Sequence, residues 1–327
     1  MGTEKKLVLQ ARALLYEWGQ KGLDLARKIM NEEKIPYEPL KVAIDYFMSS
    51  WEDVLHPALL SLSCEAVGGN PEVTINVAAA MVLLAGGADL HDDIIDQSVV
   101  KDSKPTVFGK FGKDLTVLTG ETLLFKGLYA LHEACETLPK NQKQSILELT
   151  KQAFYGISSA EAKETSLRGK TDSAEEYLEM IKMKSAVSEA TMKIGAILGE
   201  GSFEQIEVLG HYGKTLGVLF TLRDEFIDVF ELDELRNRYE KECLPLPILF
   251  TFKNPKKADE ITRLLSEKRL SENEVKRLLD IVVDSKETIE LKKEMRSMIK
   301  RENQNLRLIK LHRSAFMLLL NSMMEDL

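Results

Sequence analysis

Apolar residues in this chain recur at i, i+3, i+4 and i+7 in segment after segment, and there is no convincing run of strict apolar–polar alternation. That period belongs to the α-helix, whose side chains return to one face about every 3.6 residues. ARALLYEWGQKGLDLARKIM, TLLFKGLYALHEACETL and FEQIEVLGHYGKTLGVLFTLRDEFIDVF read this way, as do several segments after Asn254. Glycine and proline fall mostly between such segments. Gly68-Gly69-Asn70-Pro71 marks one boundary and Thr171-Asp172-Ser173 another. The spacing predicts an all-α, single-domain bundle of roughly ten or more helices over residues 1–327. The stretches around Val73–Leu90 and Val208–Phe230 are apolar over most of their surface, which places them centrally. Lys256–Leu327 alternates charged and apolar residues and reads as peripheral amphipathic helices.

Two acidic clusters interrupt those central stretches. Asp92-Asp93-Ile94-Ile95-Asp96 lies in LLAGGADLHDDIIDQ, and Asp224-Glu225-Phe226-Ile227-Asp228 in GVLFTLRDEFIDVF. Each sets carboxylates at i, i+1 and i+4, so Asp92 shares a helix face with Asp96, and Asp224 with Asp228. Acids in so apolar a setting are costly unless a cation neutralises them. Mg²⁺ is a hard cation that pairs one or two carboxylates with phosphate oxygens. Two facing DxxxD turns therefore point to a small Mg²⁺ cluster around a diphosphate. The plainer reading is solvated carboxylates near helix ends.

The net charge of −8 leaves no basic excess to neutralise a nucleic-acid backbone. Cys64, Cys135 and Cys243 are widely separated and lack the CxxC spacing of a zinc site or a disulfide framework, which fits a reducing compartment. The opening MGTEKKLVLQARALL is charged throughout and lacks the apolar core of a signal peptide. The apolar stretch from Ile75 to Leu90 is interrupted by Asn76, two glycines and Asp89, and reads as too short and too polar to span a membrane. The expectation is a cytoplasmic protein with no membrane span and no nucleic-acid partner.

HDDIID followed by KPTVFGKFG and TGETLLFKG, and MKSA followed by GAILGE and GKTLGVLFTLRDEFID, resemble the trans-isoprenyl diphosphate synthases. This all-α family shares its isoprenoid-synthase fold with class I terpene synthases. The likeness runs from His56-Pro57-Ala58-Leu59 to about Leu249. It implies that Asp92, Asp93 and Asp96, together with Asp224, Glu225 and Asp228, bind roughly two or three Mg²⁺ ions and the diphosphate of an allylic prenyl substrate. Asp92, Asp96, Asp224, Glu225 and Asp228 would be the metal ligands, with Glu225 standing where aspartate is usual. Lys184 and Lys214 match lysines that contact that diphosphate, and Lys101 keeps a charge on the same side. Without the resemblance, Lys184 and Lys214 read as ordinary surface lysines. Ser185 stands where threonine is usual. In this chemistry the ions and lysines stabilise the departing diphosphate, and an apolar pocket shields the prenyl cation from water. Asp92, Asp93, Asp96, Lys184 and Asp224 are the candidate catalytic residues, and a homodimer through central helices is implied.

The chain departs from the family on one side. Where the family carries GKRxRP to hold isopentenyl diphosphate, this chain has Glu52-Asp53-Val54-Leu55-His56-Pro57. Where it carries RRGKPT, this chain has Lys101-Asp102-Ser103-Lys104-Pro105-Thr106. Acids thus replace cations. At an effective dielectric of about 20, one unit pair at about 4 Å is worth roughly 4 kcal/mol in either direction. Thr221 and Ile157 stand where glutamines are usual, and the loop ELRNRYEKECLPLPIL around Lys241 is short. The expected function is Mg²⁺-dependent transfer of a long prenyl group to an acceptor that is not isopentenyl diphosphate. Asp53, Asp102 and His56 would line the acceptor side and offer a base. Gly86, Gly87 and Ala88 precede the first acidic turn by one or two helical turns and would open a tunnel for a long chain, close helix packing being the other explanation. Asp89 has no evident role. The alternatives are a chain-elongating synthase of geranylgeranyl or geranylfarnesyl type, with Lys104 or Lys110 replacing the lost cations, a terpene-synthase-like cyclase or lyase, and a non-catalytic subunit of a heteromeric synthase.

Overall fold

The computed structural model describes residues 6–101, 103–171, 173–267, 271–325 and 327. The chain is all-α. Helices α1 (Lys6–Asn31), α2 (Glu38–Ser50) and α3 (Leu55–Ala66) lead into α4 (Ile75–Ile95). A two-residue antiparallel hairpin pairs Val100–Lys101 with Lys104–Pro105, too short to leave any period in the sequence. Then come α5 (Val107–Phe111), α6 (Lys113–Ala134), α7 (Lys140–Leu167), α8 (Ala174–Lys184), α9 (Ala186–Leu198) and α10 (Phe203–Asp228). The chain ends with α11 (Leu232–Lys241), α12 (Leu246–Thr251), α13 (Pro255–Ser266), α14 (Glu272–Val283), α15 (Lys286–Asn305) and α16 (Arg313–Ser322).

Two helices take the centre because they are apolar nearly all round. α4 buries Val82 and Leu83 against α1, α2 and α6, and Ala80 and Leu84 against α3, α6 and α7. α10 buries Leu209, Leu216, Leu219, Leu222 and Phe226 in the largest core. The stretch Pro71–Ile95 is long and apolar enough to cross a membrane by length and composition alone, a test that a buried core helix also passes. Most of it is buried within the fold. The C-terminal helices are less peripheral than their charge implied: Ile261, Leu278, Ile281, Met295, Ile299, Phe316 and Leu319 join the α10 core. Their amphipathic stripes are full core-facing surfaces.

The single helical period from Ala174 to Leu198 is broken at Ser185. The Ser185 hydroxyl bonds back to the Lys182 carbonyl at 2.6 Å, competing with the helix ladder. A Cβ on Gly217 of α10 would lie 3.0 Å from Ser185 Cβ, so the break also lets two helices meet closely. It leaves Lys184 at the end of α8.

Candidate active site

The acids sit where α4 and α10 stop. Asp92 and Asp93 fill the last turn of α4 and Asp96 caps it, while Asp224 and Asp228 close α10. A helix C-terminus carries the negative end of the helix dipole. Acids there are disfavoured by the helix as well as by each other, and cations are favoured.

The acids of α4 form two interleaved i, i+4 pairs on different faces. Asp92 and Asp96 face α7 and α8. Asp96 accepts from Arg168, whose other nitrogen donates to the Ile95 carbonyl at 2.9 Å. Lys184 pairs with Glu161 at 2.9 Å and with Glu164. Asp89 and Asp93 instead face the hairpin, where Lys101 Nζ lies 3.1 Å from Asp89 and 2.7 Å from Asp93. Asp89, without a role in the sequence, is half of a clamp on Lys101. Asp53 adds its negative charge to the surroundings of Asp89.

Burial raises the carboxyls of Asp93 and Asp96 to about 6. Lys101 opposes the shift at Asp93, and Asp92 and Glu164 add to it at Asp96. Burial lifts Glu161 to about 7 against the pull of Lys184. Asp224 is exposed, yet the protein crowding the cleft, followed by Asp228 and Glu225, raises it to about 7. The two turns share one cleft. Glu164 acts on both Asp96 and Glu225, Glu242 feels Asp96 and Arg238, and Glu234 feels Asp228 and Lys101.

Glu225 is not brought to that cleft. It is 5% exposed and fully engaged. Its Oε1 accepts from Arg238 at 3.0 Å and from the Tyr177 hydroxyl at 3.0 Å, and its Oε2 accepts from the Leu246 N–H at 2.6 Å. Arg238 also donates to Asp228 and, at 2.7 Å, to the Tyr177 hydroxyl. The expected metal ligand Glu225 is thus a structural anchor, because a position one residue from Asp224 points about 100° around the helix.

Three further expectations are corrected. Gly87 favours the packing explanation: a Cβ there would lie 2.7 Å from Leu124 Cγ and 2.9 Å from the Gly120 carbonyl, so it serves the close contact of α4 with α6. Gly86 does the same beneath Phe47 and Trp51, which stack at 5.1 Å. Lys214 lies ten residues before Asp224, about 15 Å along the helix. Its nearest acid is Glu189, at 3.7 Å. Lys101 is turned to Asp89 and Asp93 rather than to the face holding Asp92 and Asp96. Asp102 lies outside the described residues. His56 stands beside Asp53, with Nδ1 2.7 Å from Oδ2. Sequence reasoning missed Glu161, Glu164, Arg168 and Arg238. Only their closeness to the MKSA and acidic segments in the chain hinted at them.

The donor set fits Mg²⁺. Among the described residues, Asp92 Oδ1 is buried without a hydrogen-bond partner, as suits an oxygen meant for a cation. Among the described residues, no three acidic, imidazole or thiol groups converge tightly enough to hold a metal by themselves. Mg²⁺ does not need such a cage, since it keeps waters and shares phosphate oxygens with one or two carboxylates.

The polyprenyl synthetase family model matches residues 38–282. The chain is 31% identical over 199 residues to a short chain isoprenyl diphosphate synthase of Methanothermobacter thermautotrophicus, a match covering 60% of each chain. It is 28% identical over 250 residues to a geranylgeranyl diphosphate synthase of Saccharolobus solfataricus, covering 76% of this chain and 73% of that one. In fold it is similar to the crystal structure of geranylgeranyl pyrophosphate synthetase from Pyrococcus horikoshii. The TM-score is 0.85 at 24% identity, over 97% of this chain and 100% of that one.

Proposed function

Because the chain belongs to the polyprenyl synthetase family, we propose that it is a prenyltransferase that ionises a long allylic prenyl diphosphate and passes the prenyl group to an acceptor other than isopentenyl diphosphate. The observation that carries the reading is the convergence of the carboxylate turns ending α4 and α10 on the shared neighbours Glu164, Glu234 and Glu242, with Asp92 Oδ1 buried and, among the described residues, without a hydrogen-bond partner. Bound Mg²⁺ supplies positive charge where the leaving diphosphate gathers negative charge. Asp92, Asp96, Asp224 and Asp228 would hold it. Lys184 can trade Glu161 or Glu164 for a diphosphate oxygen, and Arg168 can do the same from Asp96. Ala88 and Ala85 precede Asp92 by four and seven residues and are part-exposed. These small residues leave the same face open for a long prenyl chain.

The acceptor side supports the second half. Asp89 and Asp93 hold Lys101 and Asp53 acts on Asp89, so a second diphosphate would meet mostly like charge. Lys110, a candidate replacement cation, lies 3.8 Å over the Tyr46 ring. Steady-state assays across isopentenyl diphosphate concentration test this. The expected apparent affinity is weaker by about tenfold or more, roughly 1.4 kcal/mol, than in a synthase bearing the basic motif. Saturable elongation at micromolar levels would return the protein to the chain-elongating synthases. A homodimer belongs to the same reading. Leu118, Phe125, Leu128 and Tyr129 on α6 and Tyr155 on α7 are exposed large apolar groups, Phe125 at 74%, and such a row is a face for a second copy. Light scattering at micromolar protein should give twice the chain mass.

A further inference from the structure

Resting on that reading, we infer that His56 is the base that removes the acceptor's proton, that Asp53 positions it, and that the acceptor is an uncharged N–H or O–H nucleophile. Asp53 lies just before α3 and is nearly buried, its side chain 7% exposed. Its Oδ1 accepts the His56 backbone N–H at 3.2 Å, and its Oδ2 lies 2.7 Å from His56 Nδ1. One carboxylate therefore fixes both the turn and the ring. A carboxylate at Nδ1 holds the proton there and leaves Nε2 as the basic atom. Among the described residues, no hydrogen bond engages Nε2. Burial alone would push the imidazole down, but the charge and hydrogen bond of Asp53 leave it raised, which makes Nε2 a better proton acceptor.

The segment carrying this pair is held from behind. Arg27 donates to the Met48 carbonyl at 3.2 Å and the Trp51 carbonyl at 2.7 Å, and Tyr16 donates to Glu52 at 2.8 Å. Asp53 acts on Asp89, Asp89 on Lys101 and Lys101 on Asp93, so the pair belongs to the acceptor side of α4. The step balances. The donor C–O bond breaks and its electron pair leaves with the diphosphate. The acceptor's lone pair forms the new bond to the allylic carbon, its proton moves to Nε2, and the imidazolium passes that proton to the released diphosphate or to water. An acceptor with a diphosphate of its own would meet Asp53 and Asp89, whereas a neutral one meets only a base.

The test uses the full chain with Mg²⁺, geranylgeranyl diphosphate carrying ¹⁸O at the bridging position, and indole as the acceptor probe, water being the competing one. Scrambling of the label measures ionisation whether or not anything is captured. N-prenyl-indole and prenyl alcohol measure capture at an N–H and at an O–H. His56→Gln should leave scrambling within about threefold of wild type and lower capture at least about tenfold, roughly the effect of losing a general base. Asp53→Asn should lower capture less and shift its pH profile. Capture within threefold of wild type in His56→Gln, loss of scrambling together with capture, or a polyene as the sole wild-type product would each overturn the base. Absence of scrambling and diphosphate release in wild type would instead bring down the donor-ionising reading beneath it. Should His56→Gln fail to fold, ¹⁵N-histidine spectra of the wild type decide: Nδ1–H with bare Nε2 is expected, and the reverse tautomer overturns the assignment.

Discussion

The acidic turns of α4 and α10 look alike in sequence and differ in how they are neutralised. At α4, three separate cationic or open environments serve three acids: Arg168 at Asp96, Lys101 at Asp93 and, among the described residues, no hydrogen-bond partner at Asp92 Oδ1. At α10, one buried cation, Arg238, serves both Glu225 and Asp228, while Asp224 stands exposed. The first arrangement leaves its charges available to a ligand. The second spends one acid on holding α8, α10, α11 and the start of α12 together. Similar motifs thus divide into a turn whose acids stay open to a ligand and a turn that is half open and half architecture.

The largest expected effect breaks the architectural half. Arg238→Gln leaves Glu225 as a buried, unpaired charge, a change that costs about 3–5 kcal/mol. Chemical denaturation should show it, and Arg238→Gln with Glu225→Gln should recover part of the loss. Glu225→Asp should destabilise as well, since a shorter side chain cannot reach Arg238, Tyr177 and the Leu246 N–H together. Next comes the chemical half. Asp92→Ala or Asp96→Ala should lower Mg²⁺-dependent diphosphate release by about 10²–10³-fold, with circular dichroism and thermal midpoint little changed. Equal losses of stability at both turns would erase the distinction between them.

A smaller effect tests the contact below the first turn. Gly87→Ala drives a Cβ to 2.7 Å from Leu124 Cγ, and overpacking of this kind costs about 1–3 kcal/mol. Unfolding curves should show that cost while the preference for prenyl chain length stays unchanged. The smallest effect concerns His56. Its folded pKa is raised above the unfolded value. The Asp53 pair therefore adds stability that is fully present below the unfolded pKa of about 6.5 and lost as pH rises through the folded pKa. His56→Gln should cost about 1 kcal/mol at pH 5.5 and less at pH 9, read as the difference between the two unfolding midpoints.

The helices, the central place of α4 and α10 and the two acidic turns were legible because each is local: a period, a cap, an i, i+4 spacing. What escaped was set by distant partners. Gly87 depends on the Gly120 carbonyl, one helix away on α6, and nothing near Gly87 distinguishes a tunnel wall from a packing contact. Arg238 sits in LRNRYEK, which reads as a surface helix, and is 5% exposed because its acids come from α10. Lys101 matched a donor-side residue in order along the chain, yet Asp89 redirects it. At the site, residue types could be read from sequence, but the choice of partner among several opposite charges could not.

Arg223, the residue before Asp224, donates through one nitrogen to the carbonyls of Ser322, Met323 and Glu325, at 3.3, 3.2 and 2.7 Å. The Glu325 carboxylate in turn accepts the Leu7 and Val8 N–H groups at the start of α1. The second acidic turn, residues 322–325 and residues 7–8 are therefore links of one mechanical train. Linkage is reciprocal. A ligand that stiffens the end of α10 should slow hydrogen exchange at the Leu7 and Val8 amides, and a substitution at Glu325 should be felt as weaker binding in a cleft it does not touch.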